Sequence, residues 1–441
     1  MFEIAGMRFS QRVFLALSIV SLAALLGACV HSSPPDPGGS KSWVVENVAS
    51  KSTAELYADV IKPGVFERSS SKVIDGYTVE SGNLRMPDKS LGSLVTVRSA
   101  DGRLTALVER TGLRGLLVIN KQGEKTFTPD RASVNLRNDV EVNAAEERKL
   151  PNSRSQTKDS VIVDMLIGYS RSAVTSVGGD ATSHALALVE SANLALRQSL
   201  VTSVSLKLVG VQIVEQNYPI TGDVLDNLQN VFSEGVRAFG PDMLYAVFSG
   251  HPDDVSAGLA YMPGRLAMSL PEAWMFRHEI GHNAGGLHCP SEPGAPVPYG
   301  HGYNNGKSNT AQCGEEGVYY STPAVIDQFG LPKGDAATAD MARVWRENAE
   351  RLSSYYSVAA PTNFKKTGST LTKVTFGWSP SSEAVRYDMY RTVLSGTEVV
   401  KIAETTNLTH TVSDTSGKTI YYVKAVNAIG KESNLSNGAS R

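Results

Sequence analysis

The apolar positions change period along the chain, and the changes divide it. From residue 44 to about residue 140 they come in short runs. Tyr77-Thr78-Val79-Glu80, Ser93-Leu94-Val95-Thr96-Val97 and Gly115-Leu116-Leu117-Val118-Ile119 read as strands, with turn signals such as Asp101-Gly102 and Gln122-Gly123 between them. This predicts a small, mostly β domain over 44–142. Residues 143–158 are polar and charge-rich, with Arg148-Lys149 and Pro151-Asn152-Ser153-Arg154, and read as an exposed linker open to proteolysis. The apolar run 161–167 then predicts a buried strand. Ala185, Leu188, Val189, Ala192, Leu196 and Leu200 recur at helical spacing, and Asp180 or Ser183 can cap that helix. His184, in its first turn, reads as structural. A strand at 204–208, a helix at 223–239, a strand at 243–248 and a short strand at 258–261 follow. Met341, Val344, Trp345, Ala349 and Leu352 share one face of a helix within 337–356. From residue 360 to the end, Val374–Trp378, Arg386–Tyr390, Val399–Ala403 and Tyr421–Asn427 are strands at the spacing of a β-sandwich.

The N-terminal pattern is different. Val13 to Leu26 is apolar apart from Ser18 and Ser21, too short to span a bilayer comfortably, and preceded by Arg8 and Arg12. It has the form of a signal peptide over 1–28. Leu26-Gly27-Ala28-Cys29 resembles the bacterial lipobox, in which the cysteine is lipidated and becomes the first residue of the mature chain. The other reading is an ordinary signal peptide with an incidental cysteine. The Ser-, Pro- and Gly-rich stretch within 29–43 fits a flexible tether. The resemblance implies a membrane anchor through Cys29 in a bacterial cell envelope. Val30 in place of Asp points to the outer membrane, with release by cleavage in 143–158 as an option.

Composition adds little beyond exclusion. The chain has 441 residues, 41% hydrophobic and 20% charged, with a net charge of −2. That describes globular domains and gives no basis for a nucleic-acid partner.

The candidate chemistry lies in His278-Glu279-Ile280-Gly281-His282-Asn283-Ala284-Gly285-Gly286-Leu287-His288. Histidines four apart share one face of a helix, one turn from each other, and can hold one metal ion. Glu279 borders that face and can take a proton from water without being a ligand. Gly285 can adopt positive φ, end the helix and let the chain turn back to present His288. Three protein ligands leave a fourth position open, the mark of a catalytic site.

This H-E-x-x-H-x-x-G-x-x-H pattern resembles the zinc signature of the metzincin metallopeptidases. The order of elements over 159–357 resembles the reprolysin-like bacterial metzincins, including the peptidyl-Asp metalloendopeptidase group. The resemblance implies a multidomain chain whose α/β catalytic domain is a twisted mixed sheet plus helices. It implies Zn²⁺ on His278, His282 and His288, and Glu279 as the base that hydrolyses a protein or peptide substrate. It also implies that 258–261 is a sheet edge lining the cleft, so that Gly258, Leu259 and Ala260 bind an extended peptide through the main chain. A buried turn is the other reading of that segment. Residues 44–142 take the place of a pro-domain, or form a permanent accessory domain. With no cysteine between Cys29 and Cys289, a cysteine-based block is excluded.

The chain departs from the family downstream. Metzincins carry a methionine turn beneath the zinc, and here no methionine occurs between Met275 and Met341. Thr310-Ala311-Gln312-Cys313 stands there instead, with Gln312 as the substitute. Tyr319 and Tyr320 read as core or wall residues, the other reading being the tyrosine that reaches the metal in some metzincins, and His301 reads as a loop residue. Cys289 and Cys313 pair in an oxidising compartment, or remain two thiols. At the C-terminus, Trp378 with Tyr421, Val423 and Ala425 resembles a fibronectin type III domain over 360–441, a module that can take a protein or glycan ligand. The expected activity is a zinc metalloendopeptidase at or outside the cell surface. The alternative is a zinc-bearing surface adhesin without turnover.

Overall fold

The computed structural model describes residues 41–441 except 61, 132–137, 143–159, 315–316, 357, 393–398, 416–418 and 429. The signal peptide, Cys29 and the 143–158 linker therefore lie outside the described residues. No helix among the described residues is long and apolar enough to cross a membrane. The chain is multidomain and mostly β.

The first sheet contains β1 (Lys41–Val44), β2 (Val65–Ile74), β3 (Tyr77–Arg85), β4 (Leu91–Arg98), β5 (Leu104–Arg110), β6 (Leu113–Ile119) and β7 (Glu124–Pro129). It is antiparallel throughout, in the order β1-β7-β6-β5-β4-β3-β2. Helix α1 (Thr53–Val60) contributes Leu56 and Tyr57 to a core with Leu84, Leu94, Val108 and Ile119 on one face. The alternate residues of the same strands face the other way, as the pleat dictates. Among them, Val79, Val95, Val97, Leu107 and Leu116 join the main core of the molecule.

Strand β8 (Val140–Val142), which the sequence places with the first domain, belongs to the second sheet. That sheet also holds β9 (Val161–Ser170), β10 (Val204–Val214), β11 (Met243–Val247), β12 (Gly258–Met262) and β13 (Leu266–Ser269), in the order β10-β9-β11-β13-β12-β8. Strand β12 runs antiparallel to β13; the other pairs are parallel, giving a mixed sheet. The expected single short strand before the motif helix is thus two, since β13 intervenes between β12 and that helix. Strand β10 outruns the expected 204–208 because its register shifts between Leu208 and Gly210 and pairing resumes with β9.

The helices of this unit are α2 (Arg171–Ser176), α3 (Ala181–Gln198), α4 (Gly222–Val231), α5 (Ser233–Phe239) and α6 (Ala273–Ala284); α7 (Met341–Leu352) closes it. Asp180 caps α3 through its side chain, which accepts from the Ser183 N–H at 2.9 Å. Helix α3 packs on β10 and also on β3, β4 and β5, which is why almost its whole circumference is buried. The single helix expected at 223–239 is broken at Phe232, whose fully buried ring fills the space beside Gly168; a Cβ at Gly168 would collide with that ring.

A two-stranded ribbon, β14 (Thr322–Ile326) with β15 (Pro332–Lys333), precedes α7. The C-terminal region has β16 (Lys365–Ser369), β17 (Lys373–Gly377), β18 (Ala384–Thr392), β19 (Val399–Thr405), β20 (Thr409–Ser413), β21 (Ile420–Asn427) and β22 (Ala439–Ser440). They form two antiparallel sheets, β16-β17-β20 and β19-β18-β21-β22, around Phe376, Trp378, Met389, Tyr421 and Val423.

Candidate metal centre

Every residue of α6 is buried. The helix packs on β12 and β13 and against α3 and α7. The Asn283 amide ties it to the second sheet by donating to Tyr261 O and Leu266 O, both at 2.9 Å. Gly285 ends it with φ 112°. A Cβ there would have room, its nearest neighbour being Val344 Cγ1 at 3.7 Å, so the left-handed backbone is what calls for glycine. The Gly286 N–H then bonds Gly281 O at 2.9 Å, closing the helix end, and the chain turns back to bring His288 to the same point as His278 and His282.

Each imidazole is oriented by a partner at Nδ1. His278 Nδ1 lies 2.7 Å from Ala311 O, His282 Nδ1 2.7 Å from Gly286 O, and His288 Nδ1 2.8 Å from Glu292 Oε2. A carbonyl accepts, so the first two rings carry their proton on Nδ1 and present a bare lone pair at Nε2. Those two Nε2 atoms are 3.0 Å apart in a fully buried space. Two facing lone pairs at that distance repel unless a cation lies between them. A tetrahedral zinc with Zn–N of about 2.0–2.1 Å would set them roughly 3.3 Å apart. The donor set therefore fits a metal ion, and the outer partners fix the tautomers such an ion needs.

The fourth member of the group was not legible in the sequence. Asp139, fully buried, places Oδ2 3.1 Å from His278 Nε2 and Oδ1 3.1 Å from His288 Nε2. The ligand atoms of Asp139, His278, His282 and His288 all lie within 4.8 Å of one another. The position expected to be open is thus taken by a carboxylate of the chain itself. Burial works against the charge of Asp139, but the imidazoles of His278 and His288 beside it hold its carboxyl below the ordinary range. For His288, burial is likewise outweighed by Asp139, which raises it, whereas burial and the neighbouring His278 depress His282 strongly.

Glu279 is fully buried, and neither carboxylate oxygen has a hydrogen-bond partner among the described residues. Burial, and behind it the charge of Asp139, pushes its carboxyl well above the ordinary range. Gly258 makes room for it: a Cβ at that position would collide with Glu279 Oε1. Gly258, Leu259 and Ala260 do form a strand beside α6. That strand is not a free edge, because β8 pairs along it, Val140 opposite Ala260 and Val142 opposite Met262. The Ala260 N–H bonds Asp139 O at 2.9 Å.

The floor beneath the imidazoles is Thr310-Ala311-Gln312-Cys313. Ala311 O holds His278, and the Gln312 amide donates to His278 O while lying flat on Gly281, where any Cβ would strike it. Cys313 is joined to Cys289 by a disulfide, with Cα atoms 4.7 Å apart, fastening this floor to the residue after His288. Tyr320 is buried and donates to Arg277 O at 2.9 Å, Tyr319 is a buried wall residue under Lys333, and His301 Nδ1 lies 3.2 Å from His288 O. His184 is buried between Tyr169 Oη and Pro271 O, and burial lowers it to about 4.

No family model and no curated protein matches the chain. Among solved structures it is similar to a chain in a chaperone–substrate complex, at 22% identity and a TM-score of 0.39 over 58% of this chain. It spans 40% of the length of that chain. A fibronectin type III protein, the FN3tt mutant, is 26% identical with a TM-score of 0.17, over 18% of this chain and 90% of its own. An Fn3-like protein from Clostridium thermocellum is 27% identical with a TM-score of 0.17, over 19% and 91%.

Proposed function

We propose that this chain is a latent zinc metalloendopeptidase of the metzincin type, with 159–357 as its catalytic unit. The observation that carries this reading is the buried carboxylate of Glu279, without a hydrogen-bond partner among the described residues, beside three convergent imidazoles. Zinc held by His278, His282 and His288 would act as a Lewis acid on a peptide carbonyl and on water. Glu279 accepts the proton of the attacking water at a carboxylate oxygen and returns it to the leaving nitrogen. The Ala260 N–H, which now binds Asp139 O, is placed to hold a carbonyl of an extended peptide.

The site as it stands is latent, because Asp139 fills the fourth position and β8 covers the edge. The same closure favours a second reading, a surface binding protein whose metal is structural, since structural sites have four protein ligands. Against that reading, a structural site has no use for a buried Glu279 cleared by Gly258. The lipid anchor at Cys29, the outer-membrane location and a ligand of the C-terminal module remain proposals from the sequence.

A diverse peptide library, incubated with the purified chain without residues 1–29, tests the assignment. Cleavage that a chelator stops and added zinc restores supports the peptidase. Full zinc loading without cleavage, even with Asp139→Asn, supports the binding protein.

A further inference from the structure

The first sheet and the strand that follows it are attached to the catalytic unit in very different ways. Val79, Val95, Val97, Leu107 and Leu116 of the sheet share one continuous core with Ala185, Leu186 and Val189 of α3. Charges cross the same face. Arg277, adjacent to His278, pairs with Glu109 of β5 at 2.7 Å, the side chains 2% and 6% exposed. Glu190 of α3 accepts from Ser81 Oγ at 2.6 Å and pairs with Lys72 at 2.6 Å. Stripping the sheet away would bare the apolar side of α3 and take from Arg277, next to a metal ligand, the carboxylate it pairs with. Either change threatens the fold itself.

Strand β8 is held far more lightly. Its ladder with β12 is three residues long, and Glu141 and Val142 are exposed. Only Asp139 is buried.

Resting on the peptidase reading above, we propose that activation releases Asp139–Val142 alone. The seven-stranded sheet stays as a permanent layer of the catalytic body, and the peptide substrate enters along the β12 edge that β8 leaves. Release is a conformational step in which no covalent bond changes. The Asp139 carboxylate withdraws from His278 and His288, and the Ala260 N–H exchanges Asp139 O for a substrate carbonyl.

The test uses the zinc-loaded full chain with a site-specific protease sequence inserted between Val142 and Ser160. It is examined by native size exclusion before and after cutting, and titrated with a zinc-chelating peptide hydroxamate. Uncut Asp139→Asn is titrated in parallel. The two fragments should co-elute in buffer and separate only in denaturant. The hydroxamate should bind at least about tenfold more tightly after cutting, and more tightly to Asp139→Asn, because a competing strand lowers apparent affinity by the open fraction. An N-terminal fragment that elutes apart while the remainder stays folded and binds hydroxamate overturns the proposal. So does hydroxamate binding that neither cutting nor Asp139→Asn alters. Should Asp139→Asn fail to fold, the cut chain decides. Absence of zinc from every form defeats the peptidase reading instead, and co-elution still decides whether the sheet is retained.

Discussion

The Arg277–Glu109 pair makes a quantitative prediction about how the two sheets hold together. Glu109 accepts from Arg277 Nη2 at 2.7 Å and from Ser93 Oγ at 2.8 Å; the other acceptor of that Arg277 nitrogen is Gly317 O, at 3.4 Å. Replacing Glu109 by Met leaves a nearly fully buried guanidinium without its carboxylate, which costs about 3–5 kcal/mol. Replacing Arg277 by Met strands the carboxylate at a similar cost. Replacing both removes the two charges together, and a buried pair exchanged for apolar side chains is often neutral. The double variant should therefore be more stable than the sum of the single effects by about 3 kcal/mol or more, where independent sites would add to within about 0.5 kcal/mol. Urea denaturation of the four proteins measures this, with hydrogen exchange of β4, β5 and α6 as the readout. Each single variant should shift the sheet and α6 together. Additive single effects, or strands β4 and β5 losing protection at lower urea than α6, would refute the shared-core reasoning.

Three other perturbations follow from the geometry. Replacing Cys289 and Cys313 by Ser opens a loop with a sequence separation of 24 and should cost about 3.5 kcal/mol by loop-closure entropy, read by thermal melting under oxidising and reducing conditions. In the Asp139→Asn background, Gly258→Ala should displace the Glu279 carboxylate and lower kcat/KM by about 100-fold with little loss of bound metal, since a small misplacement of a catalytic group has that effect. Asp130 is pushed up to about 8 by burial, with Glu109 and Glu272 adding to it. Its folded pKa lies above its unfolded one, so the stability it confers is complete below about pH 4. That stability is lost as pH rises towards 8, at up to about 1.4 kcal/mol per pH unit. Denaturant midpoints between pH 5 and 8 should fall in the parent and flatten in Asp130→Asn.

Periodicity located the elements where one face of a strand or helix meets a core. It found the helix at Ala185–Leu196 and the strand at 161–167, because burial there imposes the pattern directly. It missed β2, whose Glu, Arg, Ser and Lys residues leave most of the strand exposed, and β13, four buried residues with no room for a period. It ran α4 and α5 together because Phe232 fits a helical pattern and breaks the helix only through its packing beside Gly168. Within the site, the imidazoles and Glu279 were legible since one helix and one glycine turn fix their spacing. Gln312 was placed because Thr310–Cys313 stands where the family resemblance expects the methionine turn. Asp139 was invisible: it arrives from 139 residues before His278, and a ligand supplied by tertiary pairing leaves no local spacing to read. For the same reason the sequence showed an edge at 258–261 but not the strand that covers it.

The most direct measurement compares Asp139→Asn with the double variant Asp139→Asn/Glu279→Gln, reading metal per chain and peptide hydrolysis on the same samples. The account predicts one zinc per chain in both proteins, turnover in the first, and a fall of about 10² to 10⁴ in the second, the range for loss of a general base. Equal turnover in the two, or chains that bind no zinc, would contradict it.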